Sequence, residues 1–377
     1  MASSLRAKLN AMKVSAPTPA PVRRTGGVMH RVSRECLDPA IYELSPVGLR
    51  RMGWPGEPFD VTKCLFMDTE TTGLSGGAGT VAFLVGAGYT DGDGFVIDQF
   101  LMREYADEPE LIDRLASLMD QFDHVCTFNG RKFDMPLLES RFTMCRMRNR
   151  WRELDNLDLL TPARRAWKLR IGSCRLANIE TEILGMPRHG DLPGSEVPGR
   201  YFEFLKTGDE GLLEDIIDHN RQDIATLSTL LVRLCAINAA PELLTDQRDL
   251  FSMGRSLERQ GEWKPARELY RVSALPRPRG TLAALTGERI AGMANWRQYH
   301  ILRRSGDTDE AVHVLKQMVQ RRQMPGQACV ALSKLYEHQL KDYSMALEYA
   351  NLARRWPDAE DDIDRRAARL MRKMEES

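Results

Sequence analysis

The run Cys64-Leu65-Phe66-Met67-Asp68-Thr69-Glu70-Thr71-Thr72-Gly73-Leu74 constrains this chain more than any other stretch. Lys63 to Met67 is short and mostly apolar, as expected of a strand buried on both faces. Two carboxylates follow, two residues apart. Side chains alternate along a strand with period two, so Asp68 and Glu70 point the same way. Like charges converging at the end of a buried strand repel one another and lose hydration. A divalent cation is the usual compensation, and Mg²⁺ or Mn²⁺ suits hard oxygen donors.

The following elements place that strand in a sheet. Gly73 to Gly79 is a glycine-rich turn leading to a second strand, Val81 to Ala87. Asp91-Gly92-Asp93-Gly94 signals a hairpin, and Phe95 to Met102 a third strand. Glu108 to Phe122 has helical spacing, with Leu111, Ile112, Leu115, Leu118 and Met119 on one face. His124 to Phe128 reads as a strand and Asp134 to Met144 as a helix, with Pro136 tolerated in its first turn. Leu154 to Leu160 reads as a fifth strand, and the rest to about Ala240 as helical. Three strands, a helix, a strand, a helix and a strand match an α/β ribonuclease H-like fold, a mixed five-stranded sheet with flanking helices.

After Pro241 the strand signals stop. Three segments share a form of helix, short polar turn and alanine-bearing helix, carrying Ala266, Ala311 and Ala346 in turn. Ala311 and Ala346 are 35 residues apart, near the tetratricopeptide period. Pro276 to Gly280 supplies an insertion that lengthens the first interval. The expected organisation is a basic disordered tail at 1–27, an N-terminal extension at 28–60, a ribonuclease H-like domain at 61–240 and a tetratricopeptide-like all-α domain at 241–377. An unrelated helical bundle is the alternative for the last. Solenoid surfaces take peptides and sometimes nucleic acid, so a protein partner is expected there.

Two further acidic sites align with the first. In Phe128-Asn129-Gly130-Arg131-Lys132-Phe133-Asp134 a strand ends and Asp134 opens a helix. The carboxyl ends of the first and fourth strands lie side by side in such a sheet, which brings Asp134 towards Asp68. An N-cap alone also explains an aspartate there. In Asp218-His219-Asn220-Arg221-Gln222-Asp223, on a helix from roughly Leu212 to Leu234, His219 and Asp223 share a face. Such a histidine can orient a water and take its proton while the carboxylate holds a metal, although an exposed i,i+4 pair has the same spacing.

Asp-x-Glu-Thr-Thr-Gly-Leu, then Asn-x-x-x-Phe-Asp, then His-x-x-x-Asp resembles the DEDD superfamily of ribonuclease H-like 3'-5' exonucleases. Over about residues 60 to 237 it is most similar to the YprB-like ribonuclease H-like domain family, in which tetratricopeptide repeats can follow. The resemblance implies that Asp68, Glu70, Asp134 and Asp223 bind two Mg²⁺ or Mn²⁺ ions and that His219 is the general base. It further implies that two ions about 4 Å apart clamp a scissile phosphate of DNA or RNA. In the proofreading branch the histidine stands five positions before the last aspartate; here it stands four before, which turns the ring by about 100° on a helix.

Thr71, Thr72, Gly73 and Leu74 are expected to pack on a terminal nucleotide, and Asn129, Arg131 and Lys132 to meet substrate beside the second motif. Between Arg141 and Arg175 ten basic residues outnumber three acidic ones, with Trp151 and Trp167 among them. That run suits phosphate contacts, or is a solvated face. His189 to Gly194 reads as a structural link. Lys plus Arg equals Asp plus Glu at 53 each, so overall charge names no partner. The seven cysteines form no CxxC pair, which argues against a zinc ribbon and fits a reducing cytoplasm. No apolar stretch is long enough to span a membrane. The competing readings are a non-catalytic nucleic-acid-binding or scaffold protein with this fold, and an endonuclease on structured DNA.

Overall fold

A computed structural model describes residues 27–55, 58–73, 79–149, 151, 153–186, 188, 192–275, 282–359 and 362–376. The basic tail before Gly27, Leu74 to Ala78 within the glycine-rich turn, Arg150, Arg152, His189 to Asp191 and the Pro276–Gly280 insertion lie outside them.

The strands are β1 (Met29–Cys36), β2 (Cys64–Thr71), β3 (Ala82–Asp91), β4 (Gly94–Leu101), β5 (His124–Thr127) and β6 (Asp155–Asp158). They form one mixed sheet in the order β1-β4-β3-β2-β5-β6. β2, β3 and β4 are joined antiparallel, with Asp68 opposite Gly86 and the β3–β4 hairpin turning at Gly92. β5 and β6 add in parallel beyond β2, with Cys64 against His124. The expected five strands are all present. A sixth, β1, pairs antiparallel along β4 from Met29↔Leu101 to Cys36↔Gly94. It escaped the sequence reading because Met-His-Arg-Val-Ser-Arg-Glu-Cys is an edge strand with mostly polar, exposed side chains and no apolar alternation.

Three helices follow the strands: α2 (Glu108–Met119), α3 (Asp134–Met144) and α4 (Leu160–Ile171), after the short α1 (Pro46–Met52) of the N-terminal extension. α5 (Leu176–Ile179) runs into one π-helical turn, Glu180–Leu184. α6 (Val197–Thr207) then leads to α7 (Gly211–Ala239), which crosses the sheet. α7 packs directly on β2, β3 and β4. Gly86 and Gly88 make this approach possible. A Cβ on Gly86 would stand 2.1 Å from Ile224 Cδ1 and 2.2 Å from Asn220 Oδ1, and one on Gly88 2.5 Å from Ile224 Cγ2.

From residue 241 the chain is helical: α8 (Gln247–Arg259), α9 (Trp263–Ser273), α10 (Leu282–Ser305), α11 (Thr308–Gln320), α12 (Pro325–Leu335), α13 (Tyr343–Ala353) and α14 (Ile363–Glu375). Each packs on its successor, and Ala266, Ala311 and Ala346 are all fully buried where paired helices meet. The interior does not break at residue 240. One apolar cluster joins Phe66 of β2, Trp167 of α4 and Ile224 of α7 to Leu250, Phe251 and Tyr270 of the helical stack. No helix among the described residues is long and apolar enough to cross a membrane.

Candidate active site

Asp68 and Glu70 leave the buried half of β2 where its side chains become partly exposed. Both face α7. Asn220 Nδ2 donates to Asp68 Oδ2 at 3.0 Å and to its backbone carbonyl at 3.3 Å. Gln99 Nε2 in turn donates to Asn220 Oδ1 at 2.9 Å and to the Ile217 carbonyl at 2.8 Å. This buried relay from β4 through α7 leaves Asn220 one orientation and so fixes the Asp68 carboxylate.

Asp134 opens α3, and its carboxylate accepts a hydrogen bond from the Thr69 hydroxyl. That bond fixes Asp134 to β2, so the residue is more than a helix cap. The preceding loop is fastened by Asp158 at the end of β6. Its carboxylate accepts from the backbone N–H groups of Asn129 at 2.9 Å, Arg131 at 3.3 Å and Leu160 at 3.0 Å. Asn129 holds a left-handed φ of 70°, a conformation asparagine tolerates better than most.

His219 and Asp223 lie one turn apart on α7. His219 Nε2 stands 3.7 Å from Glu70 Oε1 and 3.7 Å from Asp223 Oδ2. The ring therefore faces the acids at this spacing. Arg188 completes the group. Its Nη2 donates to Asp223 Oδ1, and its Nη1 stands 3.1 Å from His219 Nδ1. A guanidinium has no acceptor, so Nδ1 receives this bond and the neutral ring carries its proton on Nε2. The guanidinium is itself gripped by Glu180, through Nε and through Nη2 at 2.8 Å, and Glu180 also accepts from the Thr226 hydroxyl.

Burial, then mutual repulsion, sets the electrostatics. Burial raises the Asp68 carboxyl well above its ordinary range, and Asp223, Glu70 and Asp134 add to the rise. Glu70 is pushed up to about 8 by burial, with Asp223 and Asp134 adding to the rise and Arg188 opposing it. Asp134 rises to about 6 through burial, which the Thr69 bond partly offsets. Asp223 is raised by burial despite the charge and hydrogen bond of Arg188. Each folded value exceeds that of the free side chain, so the folded state holds protons the unfolded chain has released. Stability without metal therefore falls as pH rises from about 4 towards 8. Thermal melts in chelator should drop across that window, and Mn²⁺ should restore more near pH 8 than near pH 5; a flat profile would show that the acids are not strained.

The four carboxylates belong together electrostatically, and three of them also accept a hydrogen bond from a neighbour. Among the described residues no three His, Cys, Asp or Glu side chains converge in metal-ligand geometry. Asn220, Thr69 and Arg188 occupy Asp68, Asp134 and Asp223. In kind the donor set fits a divalent ion: hard oxygens at a site whose negative charge is under-compensated.

Other expected residues fall at the edges. The Thr71 hydroxyl donates to the Gly73 carbonyl at 2.8 Å, and Thr72 Oγ1 accepts from Val81 N at 3.0 Å, so both shape the turn. The Arg131 guanidinium donates to Asn156, while Lys132 is exposed. Trp151 and Trp167 pack inward instead of offering a stacking face. In the basic run, Arg141 is buried against Glu108, and Arg170 pairs with Asp249 at 2.9 Å. Sequence reasoning missed Arg188, Glu180, Gln99 and the structural part of Asp158. Only Asn220 and Asp158 lay near a recognised pattern; Arg188 sits alone in a turn-rich link with no periodic signal.

The family model RNase_H_2, described as RNase_H superfamily, matches residues 65–235. This agrees with the mixed sheet and its flanking helices, which fit a ribonuclease H-like fold. The uncharacterized protein YprB of Bacillus subtilis (strain 168) is 35% identical over 177 residues, 47% of this chain and 43% of that protein. The chain thus spans less than half the length of that relative. The family B DNA polymerase of the hyperthermophilic archaeon Pyrobaculum calidifontis superposes with a TM-score of 0.38 at 15% identity, over 52% of this chain and 29% of that one.

Proposed function

We propose that the ribonuclease H-like part is a metal-dependent nuclease, a 3'-5' exonuclease acting on DNA or RNA. One observation carries the reading. Four carboxylates from β2, α3 and α7 are gathered where burial and repulsion penalise them all. In acids that only stabilise a fold the ionised form is usually favoured; here burial outweighs the bonds from Asn220, Thr69 and Arg188, as expected of acids that await cations. Asp68, Glu70, Asp134 and Asp223 would hold Mg²⁺ or Mn²⁺, two ions when substrate is present. Bound there, the metal supplies Lewis-acid stabilisation of the phosphate and a more acidic water.

The chain's own residues do the positioning. The Gln99–Asn220 relay sets Asp68, and Thr69 holds Asp134 to the strand. His219 is the candidate base, but while Nδ1 accepts from Arg188 and Nε2 carries the proton, no lone pair faces Glu70. The ring takes a proton only when the Arg188 contact opens. Lys132 and the loop after β5 offer the phosphate contact that a chain without net charge still needs.

The test is metal-dependent release of nucleoside 5'-monophosphates from single-stranded DNA and RNA. Asp68→Ala should abolish it with the fold retained by circular dichroism. A 3'-blocked or circular substrate should resist; cleavage of either would make the enzyme an endonuclease. No release from any polymer, with binding unchanged by Asp68→Ala, would leave a non-catalytic nucleic-acid-binding protein. The helical stack from residue 241 is read as tetratricopeptide-like, supported by the three buried alanines, and as a surface for a protein partner. Because its core is shared with the sheet, that partner is best sought with the full chain.

A further inference from the structure

We propose that Arg188 is a built-in competitor for divalent metal at the Glu70–Asp223 half of the site, a brake that sets how much metal the protein needs before it works. This rests on the reading of the acids as a metal centre. The Arg188 side chain is only 7% exposed, and the Glu180 side chain that grips it is fully buried. Glu180 is fixed further by Thr226. The guanidinium is therefore a placed cation, not a surface side chain that has fallen onto the nearest acid.

Its position decides the consequence. Nη2 takes Asp223 Oδ1, and the other oxygen, Oδ2, stands 3.7 Å from His219 Nε2. An ion drawing on Asp223 must share or displace a charge-assisted hydrogen bond, among the stronger polar contacts a protein makes. The same guanidinium blocks His219 Nδ1. One side chain thus restrains a metal ligand and the candidate base together, and an ion that displaces it frees both. Arg188 acts through those residues and is a positioning residue.

Mn²⁺ binding to the full-length protein without nucleic acid, followed by water-proton relaxation, tests this directly. The informative variant is Glu180→Gln with Arg188→Gln. It removes one charge of each sign, so the chain's net charge is unchanged and Glu180 is not left as an unpaired buried ion. Tighter Mn²⁺ binding in this variant therefore reports the vacated Asp223 oxygen, not a general rise in negative charge. About a tenfold gain is expected. Arg188→Lys keeps the charge, loses the fork, and should bind Mn²⁺ nearly as wild type does. Unchanged or weaker binding in the double variant overturns the proposal while leaving the metal centre standing. If the double variant does not fold, Arg188→Gln alone decides: Mn²⁺ binding tighter than that of wild type and of Arg188→Lys supports the brake, and unchanged or weaker binding overturns it. Failure of wild type and every variant to bind Mn²⁺, with Asp68→Ala indistinguishable from them, overturns both this inference and the metal-centre reading.

Discussion

Asp68→Asn is expected to silence nucleotide release and, in chelator, to raise the melting temperature. Both effects have one cause. Asp68 is the acid whose ionisation all three others oppose, and burial opposes it first. Asparagine keeps the shape and still accepts from Asn220 through its amide oxygen, but it removes the repelling charge. The ion-free protein gains stability because fewer like charges are buried. With metal added the order should reverse: wild type gains stability and the variant does not. Loss of activity should reach about a hundredfold to a thousandfold, the scale on which one preorganised electrostatic group contributes. Equal activity in the variant would remove Asp68 from the reaction. A melting temperature lowered in chelator would mean that the carboxylate serves the fold.

Gly86→Val should be the most damaging substitution that touches no charged group. Gly86 lies opposite Asp68 in the sheet, where α7 crosses. A Cβ there meets Ile224 and Asn220 at little more than 2 Å. The strand is in mid-sheet and cannot retreat, so the helix must move. The overpacking should cost about 3 kcal/mol, read from denaturant melts. Because Asn220, His219 and Asp223 ride on that helix, activity should fall by about a hundredfold, as expected for a shift near 1 Å in a reacting geometry. Gly92→Ala is the contrasting control: its turn has open space, so the strain of a positive φ should lower stability modestly without reaching the site. If Gly86→Val loses stability and keeps full activity, the helix does not position the acids.

Much of this architecture could be read before any coordinates. The apolar run ending in Asp68 and Glu70 signals a buried strand with a charged end, because burial and period-two alternation are local properties of sequence. Asp134 begins α3 as its loop and proline pattern implied, and the long apolar periodicity marks α7. What was not legible has no local signature. β1 is an edge strand whose polar residues look like loop, and only its pairing with β4 makes it part of the sheet. Arg188 is a single residue whose meaning comes from Glu180, His219 and Asp223, elements apart in the chain. Gln99 reads as an ordinary polar residue on a strand until Asn220 is found against it. Trp151 and Trp167, which from sequence could either stack on bases or pack inward, are core residues: Trp151 packs on Phe142 of α3, and Trp167 of α4 joins the main apolar cluster.

The apolar interior that passes unbroken from Phe66 to Tyr270 has a thermodynamic consequence. A sheet and a helical stack joined by a flexible linker would unfold separately and be blind to one another. Here the two halves share one apolar cluster, so they are expected to lose structure together, as a single transition in thermal melts. Whatever grips the stack then adds its binding free energy to the stability of the acidic site as well.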